Sequence, residues 1–230
     1  MFRWERRTLH FDIERIEKDA EGYLRQFSEK GMREETRARW RSLGHDLKTA
    51  KDQALQPRAL VLATRELTLV GGQAFILGRR FTCPAFAQID PDHVSGALLY
   101  AACAGNYEMP EEAGEEAILY MDLWGNACLE AVRGQLVERL QSQTALSDSF
   151  GPGYYGMSME TMDQLVTLLG AGDIGMHSAK EGGLRPAKSC AGFYFSVDGD
   201  YRPLRAQCAA CSGAAGGCAV CRFRMDPRPH

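Results

Sequence analysis

Four of the eight cysteines in this 230-residue chain stand as Cys208-x2-Cys211-x6-Cys218-x2-Cys221. Two Cys-x-x-Cys pairs facing one another across a short loop can aim four thiolates at one metal centre, because residues at i and i+3 turn both sulfurs the same way. Gly213, Ala214, Ala215, Gly216 and Gly217 supply small residues able to wrap closely around such a centre, and Arg222 and Arg224 set positive charge beside an anionic thiolate set. The same thiols can instead form two disulfides or a duplicated redox pair. The amino-terminal run Met1-Phe2-Arg3-Trp4-Glu5-Arg6-Arg7 is charged and leads into no apolar stretch of the kind a secretory signal needs. That predicts a cytoplasmic protein, in which thiols stay reduced and metal binding is the favoured use of the motif. Zinc ribbons usually leave a longer gap between their pairs, whereas compact all-cysteine sets suit iron–sulfur clusters. The spacing therefore points to an iron–sulfur cluster of the 4Fe–4S type, with zinc as the alternative.

The rest of the chain must provide a body for this tail. With 45% hydrophobic and 25% charged residues it has an ordinary globular composition, long enough for one sizeable core plus a small appended module. A net charge of -3 argues against a dedicated nucleic-acid binder. No apolar run approaches the roughly 18 residues of a membrane span. Residues 1–58 hold 14 of the 27 Lys and Arg, interleaved with acids at helical spacing, which marks solvated helix faces. The division expected is a body over residues 1–205, with its amino-terminal helices in 1–58, and a metal-binding tail over 206–230.

Periodicity fills in the body. Two helices are expected between Asp12 and Leu55, the first with Ile13, Ile16, Tyr23, Leu24 and Phe27 as its apolar stripe, the second running from Arg33 with Trp40, Leu43 and Leu47 facing inward. Ala59–Thr64, Leu67–Leu69 and Ala74–Leu77, punctuated by Gly71-Gly72, read as a strand and hairpin block. The apolar run Leu98–Cys103 fits a buried strand or a helix turn, and periodicity does not choose between them. Pro110 and the acids Glu111, Glu112, Glu115 and Glu116 predict a helix from Pro110 to about Leu140, with Gly125 as a possible bend. A helix over Ser158–Leu169, ended by Gly170 and Gly172, and short strands at Ile174–Met176 and Cys190–Val197 complete it. Helices, strands, then helix and strand again, without a strand–helix–strand repeat, give an α+β class with an antiparallel sheet. Cys83, Cys103, Cys128 and Cys190 sit singly in apolar contexts as small buried hydrophobes. His93 and His177 are read as surface or satisfied histidines.

A second group of residues carries a resemblance. Gly151-Pro152-Gly153-Tyr154, the helix at Ser158, Ile174-Gly175-Met176, then Pro186-x-Lys188-Ser189-x-Ala191-Gly192-Phe193-Tyr194-Phe195-Ser196 and finally Tyr201 resemble the activation domain of cobalamin-dependent methionine synthase. The helix Asp122–Arg133, with Cys128-Leu129-Glu130-Ala131, is similar to the family's Ala-Glu-Ala helix. The resemblance is close over residues 94–201 and weaker before them. It implies a curved antiparallel sheet with flanking helices that binds S-adenosylmethionine and meets a cobalamin domain while an inactive Co(II) corrinoid is reduced and remethylated.

By the same resemblance Pro152, Gly153 and Tyr154 match the backbone-and-aromatic part of the adenosylmethionine site, Glu130 the acidic residue facing the ligand, and Tyr201 the tyrosine after the Phe-Tyr-Phe-Ser strand. Physically, a glycine permits close backbone approach, a tyrosine ring can stack on adenine or lie near a sulfonium, and a carboxylate can pair with an amino group. One position departs. The family has an arginine five residues before its Tyr, suited to a carboxylate, and this chain has Ser149 there. Losing such a contact costs about 2–4 kcal/mol unless Arg185, Lys180 or Lys188 substitutes. The chain has no room for folate, homocysteine or cobalamin domains and lacks an Asp-x-His-x-x-Gly signature, so any cobalamin is expected on a separate corrinoid protein. The function expected is reductive activation of that partner through the tail cluster, fed by an upstream electron donor. The alternative is a non-redox binding module with a structural zinc.

Overall fold

The computed structural model describes residues 6–28, 32–179, 183–201 and 204. The quartet Cys208, Cys211, Cys218 and Cys221 lies outside them, as do Lys180, Arg222 and Arg224. In chain order the elements are β1 (Arg6–Leu9), α1 (Ile13–Ser28), α2 (Glu34–Asp46), α3 (Lys48–Ala54), β2 (Leu55–Thr64), β3 (Leu67–Val70), β4 (Gln73–Ile76), β5 (Arg79–Thr82), β6 (Val94–Gly105), α4 (Glu115–Gln141), β7 (Ala145–Leu146), α5 (Thr161–Leu169), β8 (His177–Ser178), β9 (Leu184–Arg185) and β10 (Lys188–Val197).

The main sheet has the order β1-β2-β6-β10-β7, and every pairing in it is antiparallel. The expected α+β class with an antiparallel sheet is thus borne out. Its two central strands explain why the run Leu98–Cys103 shows no period: it is strand, and both of its faces are covered. Leu98, Tyr100 and Ala102 pack with Ile16, Ala20, Met121, Cys128 and Val132 under α1 and α4. Leu99, Ala101 and Cys103 face the opposite way, into a core with Phe81, Phe86, Phe150, Leu165 and Phe193. A strand buried on both faces loses its apolar/polar alternation. The three-stranded antiparallel β3-β4-β5 unit buries Ala74, Ile76 and Phe81 into this second core.

Several expectations need correction. The second amino-terminal helix is two helices, because Leu47, at φ -84° and ψ 4°, ends the ladder of α2 and opens that of α3. The long helix starts at Glu115, not Pro110, since Gly114 is extended and Pro110–Ala113 close a turn with a 2.9 Å backbone bond. The last helix starts at Thr161, after a turn in which Thr161 bonds back to the Ser158 carbonyl. It ends as expected at Gly170, in the left-handed region at φ 63°. Ile174–Met176 is no strand. Ala171–Ile174 makes a 3-10 turn between left-handed Gly170 and Gly175, and pairing begins only at His177. Strands β1 and β5 were not foreseen; both are short and rich in arginine, so they carry little apolar signal. Among the described residues no helix is long and apolar enough to cross a membrane.

Candidate functional site

The segment 147–157 lies along β10, and its attachment follows from small residues placed where two chains must touch. Phe150 and Phe193 exchange two backbone hydrogen bonds of 2.8 Å each, and the Ser147 hydroxyl accepts from Phe195 N at 2.8 Å. A Cβ on Gly192 would lie 2.6 Å from the Phe150 carbonyl oxygen and 2.9 Å from the Tyr100 hydroxyl; one on Gly151 would lie 2.9 Å from the Ala191 carbonyl oxygen. Only glycine lets the loop approach the strand this closely. The fully buried Phe150 ring then locks into an aromatic cluster, 5.1 Å from Phe86 and 5.3 Å from Phe195 between centroids.

Beyond this anchor the chain turns sharply. Gly153 sits at φ +84°, and Tyr154 N bonds to the Gly151 carbonyl while Gly153 N bonds to that of Met157. Pro152 is buried beneath the turn. The result presents the Tyr154 ring to solvent, 55% exposed, while Tyr155 folds inward 5.4 Å from Phe150. An exposed aromatic on a rigid turn is a surface on which a flat ligand group can stack.

Asp148 and Ser149, adjacent in sequence, turn to opposite cores. Asp148 accepts from the Tyr201 hydroxyl at 2.9 Å, from Leu204 N at 2.9 Å and from the Tyr155 hydroxyl at 3.4 Å, and these three residues pack against the Phe150 core. Burial first, and then the Asp148 charge, push the Tyr201 hydroxyl well above its ordinary pKa. Tyr201 is thereby held at the root of the loop, beside the candidate residues but engaged by Asp148.

On the helix side Ser149 shares a 3.1 Å hydrogen bond with the hydroxyl of Tyr100, whose ring stacks on Tyr194 at 5.4 Å. Here α4 delivers Glu130 and, one turn on, Arg133, joined by a 2.7 Å ion pair. Their side chains are 34% and 20% exposed. Burial works against the Arg133 charge, yet the guanidinium stays firmly protonated with the Glu130 carboxylate beside it. The Tyr100 hydroxyl is pushed well above its usual value by burial, and burial raises the Cys190 thiol to about 12 even with Arg133 pulling it down. Glu130 thus pairs with a cation, Arg133, that the sequence did not single out, while Ser149 is tied to Tyr100. Of the arginine substitutes considered from sequence, Lys188 is engaged elsewhere, its Nζ bonded to Asp122 at 2.5 Å and Asn126 at 2.9 Å, and Arg185 is exposed on β9.

Cys83, Cys103, Cys128 and Cys190 are free thiols, the first three buried, as expected of small hydrophobes. Burial raises Cys128 to about 12 and lifts Cys83 above its ordinary value. His93 is satisfied by Asp198, Nδ1 to Oδ2 3.0 Å, and His177 is exposed on β8. Arg133, Asp148 and Tyr100 were missed. The i, i+3 spacing of Glu130 and Arg133 was a legible sign for the first; no local signal marks the other two.

No family model and no curated protein matches the chain. Among solved structures it is similar to the MetH reactivation domain bound to AdoHcy, with a TM-score of 0.61 over 95% of this chain and 88% of that one, at 14% identity. At that identity the likeness is one of fold, and in fold this chain is similar to the MetH reactivation domain.

Proposed function

We propose that the protein docks on a corrinoid-carrying partner, binds S-adenosylmethionine at the loop Ser149–Tyr154 and the facing turn of α4, and supports reductive activation of the partner's Co(II) cobalamin. The observation that carries this is the fold likeness to a reactivation domain solved with AdoHcy, which is S-adenosylmethionine without its transferable methyl, over 95% of this chain. The geometry is compatible with such a ligand. Tyr154 offers an exposed ring, left-handed Gly153 opens the backbone beside it, and Glu130 supplies a carboxylate for an ammonium group. Pro152 and Tyr201 serve as support, the one packed under the turn and the other holding its root through Asp148.

The division of labour between body and tail belongs to the same proposal. Cys208, Cys211, Cys218 and Cys221 form an all-thiolate donor set suited to a 4Fe–4S cluster, which when bound supplies one-electron transfer toward a Co(II) corrinoid, itself recharged by a low-potential upstream donor. Protein purified without air should be brown and carry about four irons. A colourless protein with one zinc per chain would remove the electron-transfer role and leave a zinc-stapled binding module. For the ligand site, titration calorimetry with S-adenosylmethionine should give heat in the wild type. Tyr154→Ala should weaken binding by about 5- to 100-fold, the loss of one stacked base. No heat in the wild type would refute the site.

A further inference from the structure

We propose that the cleft between α1, α2, α3 and the first turns of α4 binds a small organic anion, a carboxylate or phosphate head on an apolar body, with Lys51 as its counter-ion. The cleft has a volume of about 660 Å³ and shares no lining residue with the loop 147–157, Glu130 or Tyr201, so the assignment is independent of the loop site. Its floor is aromatic. Tyr120 and Trp124, one turn apart on α4, are 4% and 3% exposed. Gly44 on α2 leaves the room that the Tyr120 ring fills, because a Cβ at that position would strike the Tyr120 hydroxyl. Leu24 of α1 adds an aliphatic wall. A lone inorganic ion would leave most of this space unfilled, whereas clefts of about 300–1,000 Å³ suit small organic molecules.

The charges choose the sign of the ligand. Lys51 is half-buried, its Nζ 4.3 Å from the Trp124 ring centroid and 5.7 Å from that of Tyr120. An ammonium carries three donors and no acceptor. Among the described residues no carboxylate lies within ion-pair distance of it, and the ring faces replace its lost water only in part. The Trp124 indole N–H, on the same wall, also has no acceptor among the described residues. Lys and Arg outnumber Asp and Glu around the cleft by four to three, and one of the acids, Glu21, is already paired with Arg25 at 3.3 Å. Burial and then Asp52 lift the Glu17 carboxyl above its ordinary value, so this acid opposes an incoming anion least. Burial lowers the Lys51 ammonium, a shift that a bound anion reverses. A cationic ligand would meet Lys51 head on.

The test uses the full chain with phenyl phosphate and phenylacetate as probes, followed by NMR through the indole N–H signal of Trp124, which Trp124→Phe assigns. Both probes should bind and shift that signal. Inorganic phosphate and benzyl alcohol, each holding half of the chemistry, should bind more weakly. Lys51→Gln should weaken phenyl phosphate by about 10- to 100-fold, the loss of one charge-assisted contact, and Lys51→Arg should keep most of the affinity. In the wild type, phenyl phosphate should also slow acetylation of Lys51 by acetic anhydride, read by peptide mass spectrometry, and leave the exposed Lys18 unaffected. This protection decides the matter if Lys51→Gln does not fold. No shift with either probe at millimolar concentration, equal binding of benzyl alcohol, or unchanged binding in Lys51→Gln overturns the site. Inorganic phosphate binding as tightly as phenyl phosphate overturns the apolar half of the assignment. Displacement of phenyl phosphate by AdoHcy overturns the separation of this cleft from the loop.

Discussion

Gly192→Ala is the sharpest perturbation of the link between fold and site. The added methyl carbon would sit 2.6 Å from the Phe150 carbonyl oxygen and 2.9 Å from the Tyr100 hydroxyl, so the loop must lift from β10. Lifting it gives up the two 2.8 Å backbone bonds between Phe150 and Phe193 and the 3.1 Å bond between Tyr100 and Ser149. At about 0.5–1.5 kcal/mol for each bond, the loss is about 2–4 kcal/mol. For a chain of this size that lowers the melting temperature by roughly 5–15 °C. Calorimetric melting of purified wild type and variant measures it directly. Gly172→Ala is the control, because no atom lies within 4 Å of its added carbon and its φ is ordinary. The displaced loop also carries Ser149 away from Tyr100 and shifts Tyr154, so AdoHcy titration should weaken in parallel with stability. A variant that melts within ~2 °C of wild type and binds AdoHcy equally well would refute the claim that this contact seats the loop.

Three further outcomes are expected. Asp148→Ala, which strips the acceptor from Tyr201 and Leu204, should destabilise by about 2–3 kcal/mol in urea, and Tyr201→Phe should add little in that background although it costs about 1 kcal/mol alone. Asp198 raises the pKa of His93 above 6.5 through their hydrogen bond, and His93 lowers that of Asp198 below 3.8. The raised His contributes stability that is lost as pH climbs through its folded value, and the lowered Asp contributes stability lost as pH falls through its own. The pair therefore helps most between pH 3.8 and 6.5, and Asp198→Asn should lower the His93 midpoint, followed by NMR, from its wild-type value, with Asp90 and Asp200 still acting on the ring. Thiol labelling of the folded protein at pH 8 should spare Cys128 and be slow at the half-buried Cys190, since thiols titrating near 12 are ionised at about one part in ten thousand there; rapid labelling of Cys128 would contradict its burial.

The strength of local signals decided which elements could be read in advance. Gly170 as a helix stop, the run Cys190–Val197 as a strand and the Gly-Pro-Gly-Tyr turn rest on backbone conformations that a few adjacent residues dictate. Starts were less legible. Pro110 followed by acids has the composition of a helix N-terminus, yet the chain makes a turn first, because a first turn can close as an isolated bend as readily as it can propagate. The edge strand Arg6–Leu9 was hidden by its charge: Arg6 reaches the Leu169 and Gly170 carbonyls and Asp173, partners more than 160 positions away.

The sequence by itself determined an α+β class with an antiparallel sheet and the Gly-Pro-Gly turn ahead of Tyr154, because each depends on residue types at short spacing, whereas the place of Glu130 was implied only by the family resemblance and the cysteine quartet lies outside the described residues. Tertiary structure alone decided what surrounds Ser149. The antiparallel register sets Tyr100 opposite Gly192, the missing side chain of Gly192 lets Phe150 close onto the strand, and α4 packs against Tyr100 and Tyr194, so that the Tyr100 hydroxyl meets Ser149. Register and helix rotation are fixed by core packing between segments far apart in the chain, and no local pattern carries that information.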